Sequence, residues 1–179
     1  IEGAYSLVIM TENELIGLRD PHGFRPLCLG RLDGAWVLAS ETCALDLIGA
    51  VYVRDIEPGE VVFIYKDRLE SFKPFKKTAC AFCIFEYIYF ARPDSNIFGH
   101  NVYGVRKQLG RQLAQEYPVN ADLVMPIPDS GTCAALGFAQ ASKLAYEMAM
   151  VRNHYIGRTF IQPSSFVRNF RVKIKLNPV

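Results

Sequence analysis

Cys83-Ile84-Phe85-Glu86-Tyr87-Ile88-Tyr89-Phe90-Ala91-Arg92-Pro93-Asp94-Ser95 divides the chain. Before this run the sequence alternates short apolar stretches with turn residues. After it come one amphipathic helix and a strand–loop–helix–strand pattern. The run is rich in aromatic residues and holds one acid, Glu86, in an apolar setting that predicts burial. It closes in Arg92-Pro93-Asp94-Ser95, where regular structure should stop, because a residue preceding proline avoids the α region. The stretch therefore reads as a seam between two units.

Working back from the seam, Lys73-Pro74-Phe75-Lys76-Lys77 combines proline with charge and is the linker candidate. A division near residue 75 follows, with one domain over residues 1–75 and a second over 76–179. Strands are expected at 4–10, 15–18, 26–32, 35–39, 51–53, 60–65 and 69–72. Asp33-Gly34 is hairpin chemistry, and Glu57-Pro58-Gly59 and Lys66-Asp67 are further turns. Thr42 is the expected cap of a short helix over 43–48 that Gly49 closes. Regularly spaced short strands of this kind predict a mostly antiparallel sheet. His22, in the Asp20-Pro21-His22-Gly23 turn, has no cysteine or serine at a useful spacing and reads as a surface histidine.

Working forward, residues 101–117 keep Val102, Val105, Leu109 and Leu113 at helical spacing, with Asn101 as cap and Pro118 beyond the end. Arg106, Lys107, Gln108 and Arg111 fall on the expected outer faces. Residues 122–128 form a short apolar strand ended by two prolines. Asp129-Ser130-Gly131-Thr132 leads into an alanine-rich helix over 133–143, and 145–151 is a further strand. Such a βαβ unit implies a parallel pair with a right-handed crossover. Ligands of open α/β sheets collect beyond the carboxyl ends of the strands, where Ser130 and the segment after Val151 both lie. Ser130 is either a plain helix cap or part of an anion site.

Charge agrees with an anionic ligand. The formal net charge is +2, yet residues 148–179 hold Arg152, Arg158, Arg168, Arg171, Lys173 and Lys175 and no acid. All 18 acids lie in residues 1–147. A basic tail is also what a solvated flap or a nucleic-acid surface would show. Aromatic residues are not interleaved with these charges as stacking platforms would be, so nucleic acid is not the expected partner. No run of about 18 apolar residues exists, so no membrane span is expected. Nothing at the start resembles a signal peptide. Five cysteines, an odd number, do not make a disulfide framework, and a reducing cytoplasm is the expected compartment.

Cys80 and Cys83 form a C-x-x-C pair, a spacing at which two thiolates hold one metal ion. No second pair completes a four-thiolate site, so the alternatives are a partial site or idle cysteines.

Four blocks resemble one family. They are the seam itself, Arg19-Asp20-Pro21-His22-Gly23-Phe24-Arg25-Pro26-Leu27, the loop Pro126-Ile127-Pro128-Asp129-Ser130, and Asn153-His154-Tyr155-Ile156-Gly157-Arg158-Thr159-Phe160-Ile161. In this order they are similar to the middle of glutamine phosphoribosylpyrophosphate amidotransferases. The resemblance implies a mixed α+β and α/β chain. Its first part would be the C-terminal half of an N-terminal-nucleophile glutaminase sheet. Its second would be the start of a type I phosphoribosyltransferase domain. The family converts phosphoribosylpyrophosphate and glutamine to phosphoribosylamine, the first step of purine synthesis. The catalytic cysteine and the diphosphate-ribose loop are expected outside this stretch, so the chain reads as an internal fragment that is inactive alone.

The same resemblance implies substrate contacts at Asp129, Ser130 and Arg158, with Mg2+ near Ser130. It also implies Cys83 as one of four ligands to a [4Fe–4S] cluster, with no counterpart for Cys80. Arg25 is expected to be structural. Residues 162–179 resemble a flexible loop that closes over phosphoribosylpyrophosphate. Family members usually have Lys-Asn-Arg where this chain has Arg152-Asn153-His154. Purine nucleotides are the implied feedback inhibitors and a homo-oligomer the implied assembly. The rival reading is a purine-nucleotide-binding module without chemistry on the same scaffold.

Overall fold

The computed structural model describes residues 1–158, 161 and 164–179. They form two compact units, residues 1–103 and 104–179. Thr159 and Phe160, part of the fourth family-like block, and Gln162 and Pro163 of the loop-like stretch lie outside the described residues.

Seven strands and a helix make the body of the first unit. Strands β1 (Ser6–Met10), β2 (Glu14–Arg19), β6 (Val61–Tyr65) and β7 (Arg68–Phe72) make one antiparallel sheet in the order β1-β2-β6-β7. Strands β3 (Cys28–Leu32), β4 (Ala35–Ala39) and β5 (Val51–Asp55) make a second, ordered β4-β3-β5. The β3–β4 hairpin turns at Asp33 and Gly34, both at positive φ (47° and 85°), which matches the twist of the flanking strands.

The period-two alternation of a strand decides the layers. Leu29, Trp36 and Leu38 of the second sheet join Val62 and Ile64 of the first, with Leu27 and Ile56, in one apolar cluster. The residues between them, Cys28, Leu32, Val37 and Ala39, face the opposite way and pack with Leu45 and Ala50 around helix α1 (Thr42–Ile48). The result is sheet, sheet, helix. Thr42 does not cap α1. Glu41 occupies that position without a side-chain cap bond, and the Thr42 hydroxyl instead accepts the Asn96 N–H at 2.8 Å.

Arg19 and Asp20 sit inside this unit, 2% and 0% exposed. Asp20 receives the N–H groups of His22 (2.9 Å) and Phe24 (3.1 Å) on its two carboxylate oxygens. Its backbone carbonyl accepts from Gly23 and Gly59. Arg19 donates to the carbonyls of Arg25, Ile56 and Gly23 at 2.7, 2.7 and 2.8 Å. Burial pulls its guanidinium below the ordinary arginine value, against the support of Asp55 and Asp20.

The stretch after the expected linker is laid onto this turn. Thr78 donates to the Pro21 carbonyl, and the N–H groups of Ala81 and Cys83 donate to His22 and Phe24. A five-residue π-helical turn, Glu86–Phe90, follows and is left at Ala91 (φ −70°, ψ 150°). The Arg92 N–H and the Ser95 hydroxyl then bond Glu41, both at 2.8 Å. The compact units therefore divide at 103, not where composition changes at 73–77, because residues 78–101 pack on the first unit. Short strands β8 (Asn96–Ile97) and β9 (His100–Asn101) lead into α2.

In the second unit α2 (Val102–Glu116) and α3 (Thr132–Ser142) flank a two-stranded parallel pair, β10 (Leu123–Val124) and β11 (Ala145–Tyr146). The expected βαβ unit is thus present, with shorter strands. The expected strand over 145–151 is interrupted, and β12 (Met150–Arg152) pairs antiparallel with β13 (Leu176–Pro178). Residues 165–175, expected in a loop, are helix α4 (Ser165–Lys175), whose last turn carries Lys173 and Lys175 where cations favour the dipole.

The face of α2 also differs from expectation. Leu109 and Leu113 are about half exposed, and Arg106, Gly110 and Ala114 are the buried stripe. A Cβ on Gly110 would lie 1.9 Å from the Ala134 carbonyl oxygen, and one on Gly137 would lie 1.9 Å from that of Lys107. The helices thus meet backbone to backbone. Gly137→Ala should destabilise the second unit by about 1–3 kcal/mol in urea unfolding despite alanine's better helix propensity, because overpacking outweighs it.

Glu60 supplies a pH-dependent term. It is 4% exposed, takes a bidentate pair from Arg54 (2.6 and 2.8 Å) and accepts the Glu57 N–H at 2.7 Å. Burial pushes its carboxyl up, but the Arg54 bonds and the Glu57 N–H outweigh it and hold it below the ordinary value. A carboxyl lowered in the folded state adds stability above its unfolded value, about 4.3, which is lost as pH falls through the folded value. Glu60→Gln should lower stability at pH 7 and flatten its fall below about pH 4.3, as read by urea midpoints across pH.

Candidate functional site

The loop between β10 and α3 is the first candidate. Pro126 is buried and anchors it, and Asp129 and Ser130 are exposed at its tip. Gly131 N–H closes back on the Ile127 carbonyl at 3.0 Å, and Thr132 N–H on that of Asp129 at 3.2 Å. Helix α3 begins from Gly131 with no side-chain cap bond, so Ser130 is not its cap. The first turn of α3 is left with N–H groups and the positive end of the helix dipole at the loop.

Asp129 is ion-paired to Arg152, the last residue of β12. Arg152 is partly buried, and its Nε is a buried donor with no partner among the described residues. Lys175, at the end of α4, donates to the Gly157 carbonyl at 3.0 Å, and its own carbonyl accepts from Asn153 at 2.8 Å. Segment 153–158 is thereby held beside the end of α4, with His154 and Arg158 exposed. Of the residues expected to bind substrate, the structure joins Asp129 to Arg152 rather than to Arg158. Sequence reading noted Arg152 as a departure from the family pattern and missed its carboxylate partner 23 residues upstream. A helix start, an exposed hydroxyl and the Arg152 guanidinium paired to Asp129 suit an anion.

The second candidate surrounds Cys83 in the first unit. The backbone pairing of Ala81 and Cys83 with His22 and Phe24 keeps residues 80–83 extended. In an extended chain, residues three apart point to opposite faces. Cys80 is fully exposed and Cys83 half-buried. The pair is therefore not arranged as a local two-thiolate chelate. Cys28, Cys43 and Cys133 are buried, and burial pushes the Cys28 thiol up to about 12 and raises that of Cys43, which leaves both as core thiols.

Beside Cys83, Arg25 Nη1 lies 2.5 Å from Glu86 Oε1 and 3.9 Å from Cys83 Sγ. The guanidinium lies over the Phe90 ring at 4.3 Å. Glu86 is 5% exposed, the burial its setting predicted. Burial raises its carboxyl, and the half-exposed Arg25 offsets that only in part. Among the described residues, no three histidine, cysteine or acidic side chains converge to hold a metal ion. This chain offers single donors, the Cys83 thiol and the Ser130 and Asp129 oxygens. No helix of the described residues is long and apolar enough to cross a membrane.

No family model matches the chain. Curated relatives do. It is 51% identical over 179 residues to amidophosphoribosyltransferase of Mycobacterium leprae, covering all of this chain and 32% of that protein. It is 52% identical over 180 residues to that of Rhizobium etli, covering 98% of this chain and 36% of that one. The chain thus spans about a third of the length of these relatives. Among solved structures, the glutamine phosphoribosylpyrophosphate amidotransferase of B. subtilis complexed with ADP and GMP superposes with a TM-score of 0.90 at 49% identity. That match covers 99% of this chain and 39% of the other. A structure described as the allosteric regulatory enzyme of purine biosynthesis matches equally, at TM-score 0.90 and 49% identity, over 99% of this chain and 38% of its own.

Because the exposed Ser130 hydroxyl makes no cap bond to α3, Ser130→Ala should change the urea midpoint by less than about 0.5 kcal/mol in stability. A loss near 1 kcal/mol would restore the cap.

Proposed function

The chain belongs to the amidophosphoribosyltransferase family, and we propose that the protein containing it transfers the amide nitrogen of glutamine to C1 of phosphoribosylpyrophosphate. The observation that carries this reading is the identity of about half the residues over essentially the whole chain. Residues 1–75 are then the C-terminal half of an N-terminal-nucleophile glutaminase domain. Residues 76–179 begin a type I phosphoribosyltransferase domain, with its first stretch, 78–101, packed on the first compact unit. The reaction forms a C1–N bond to ammonia, breaks C1–O to pyrophosphate and leaves phosphoribosylamine.

In this assignment the second unit binds the anionic end of the substrate. Free N–H groups at the start of α3 and the Ser130 hydroxyl face the phosphates, with Arg158 as a further cation toward them. The exposed helix dipole contributes on the order of 0.3–1 kcal/mol, too little to hold pyrophosphate without cations. Magnesium, when bound, supplies the remaining charge on the leaving group, with Ser130 within reach through its hydroxyl or a bound water. Arg152 adds a fixed positive charge that Asp129 partly neutralises.

The first unit contributes Cys83 as one ligand of a [4Fe–4S] cluster, its sulfur half-exposed and already a hydrogen-bond acceptor. The remaining ligands would come from beyond the chain. Purine nucleotides are proposed as feedback inhibitors, since a solved relative holds ADP and GMP. The same observation supports the second reading, a nucleotide-binding module without turnover. A homo-oligomer in the cytoplasm completes the proposal.

In the full-length protein, Ser130→Ala should raise KM for phosphoribosylpyrophosphate about tenfold or more, and excess magnesium should partly restore it. Unaltered kinetics would remove Ser130 from the site. Nucleotide binding with no phosphoribosylamine formed by the wild type would favour the binding module.

A further inference from the structure

Helix α1 starts without the side-chain bond that commonly closes a helix N-terminus. Glu41 holds the cap position with extended backbone (φ −141°, ψ 149°), yet its side chain bonds none of the first N–H groups. Its Oε2 instead accepts the Arg92 N–H and the Ser95 hydroxyl, both at 2.8 Å, and the Cys43 thiol lies 3.7 Å from the same oxygen. Thr42 does likewise, its hydroxyl accepting the Asn96 N–H at 2.8 Å. The guanidinium of Arg92 is taken up by Asp94 at 2.8 and 3.1 Å. Glu41 therefore grips the backbone at residue 92 and the side chain of Ser95, which is fully buried. From this clasp the chain runs directly into α2. The Ser95 carbonyl accepts the Val102 N–H and the Pro93 carbonyl that of Tyr103, both at 2.9 Å, which satisfies donors that a helix start leaves open. Ala91, Ile97 and Val102 pack together in one apolar cluster.

We propose that Glu41 is a positioning residue for ammonia transfer, its carboxylate fixing residues 92–95 on α1 and thereby the point where α2 begins. The proposal rests on the amidotransferase reading. In it the nitrogen leaves glutamine in the part that holds residues 1–75 and joins C1 in the part that begins at residue 76. Glutamine hydrolysis gives glutamate and ammonia, and ammonia forms the C1–N bond as pyrophosphate leaves. Coupled turnover therefore releases one pyrophosphate for each glutamate. Ammonia that escapes to water breaks that ratio, so the join between the two parts has to hold its geometry. Both side chains that could cap α1 are given over to that join. A plain surface acid would not be shared among a backbone N–H, a buried hydroxyl and a thiol. All three donors are neutral, so the clasp requires of residue 41 an acceptor oxygen rather than a negative charge.

The test uses the full-length protein as wild type, Glu41→Gln, Glu41→Ala and Ser95→Ala. Glutamate and pyrophosphate are measured in one assay with glutamine and phosphoribosylpyrophosphate. Pyrophosphate release is measured again with ammonium chloride as the only nitrogen source. In Glu41→Ala the pyrophosphate released per glutamate should fall about threefold or more, while the ammonia-dependent rate and the KM for phosphoribosylpyrophosphate stay within about twofold of wild type. Ser95→Ala should move the ratio in the same direction. Glu41→Gln, whose amide oxygen still accepts both the N–H and the hydroxyl, should keep the wild-type ratio. A merely structural role would lower both rates together and leave the ratio unchanged. An unaltered ratio in Glu41→Ala, or an equal fall in Glu41→Gln, would overturn the proposal. Where Glu41→Ala loses the ammonia-dependent rate as well, Ser95→Ala decides on the same ratio: a fall supports the clasp and the wild-type ratio overturns it. A wild type that releases no pyrophosphate from either nitrogen source would instead overturn the amidotransferase reading, and the proposal with it.

Discussion

The buried pair of neighbours Arg19 and Asp20 is the constraint on which the first unit depends. A fully buried carboxylate is costly unless its oxygens are satisfied, and a buried guanidinium likewise. Here each satisfies the backbone of other segments. Asp20 holds the turn 20–24 closed and catches Gly59, while Arg19 ties residues 23, 25 and 56 through their carbonyls. The turn so fixed exposes the carbonyls of Pro21, His22 and Phe24, which are the acceptors that capture residues 78–83. Residues 78–83 are thus positioned by a polar core. Phe82 stacks on Phe98 at 4.2 Å, and Arg19 lies 5.7 and 5.3 Å from the two rings.

What sequence made legible follows from short-range chemistry. Alternation and turn residues located β1 to β7, since a hairpin such as Asp33-Gly34 is specified by two adjacent residues. The burial of Glu86 and the parallel β10–β11 pair were likewise visible. Long-range polar pairing was not. Arg19 looks like any surface arginine at a strand end, and its three acceptors are backbone atoms, which leave no trace in side-chain pattern. Thr42 next to a helix start resembles a cap, yet its hydroxyl is used by Asn96, 54 residues away. The face of α2 was misjudged for another reason. Its contact surface is Gly110 and Ala114, small residues that let backbones touch and contribute almost nothing to an apolar stripe.

The same limit explains the candidate sites. Asp129, Ser130 and Cys83 were singled out by motif, but the partners that give two of them a chemical setting, Arg152 and Arg25, act across 23 and 58 residues. The C-x-x-C spacing invited a chelate that the backbone does not build. Residues 80–83 are extended because they are paired with the 22–24 turn, and that pairing traces back to Asp20. A polar contact in the core thus decides which cysteine stands alone.

A related argument applies to the loop proposed to bind an anion. Asp129 at the tip adds negative charge where a phosphate would arrive, and by itself would oppose binding. Its pair with Arg152 offsets that effect. A partly buried guanidinium with no counter-charge is expensive to hold next to a helix start that is itself positive. The carboxylate removes that cost in the free protein and leaves the Nε of Arg152 as a buried donor without an acceptor among the described residues. An arriving phosphate would compete for the arginine with a carboxylate that is exposed and readily hydrated, so the exchange costs little. On the proposed reading, Asp129 would thus stand in for ligand charge beside Arg152.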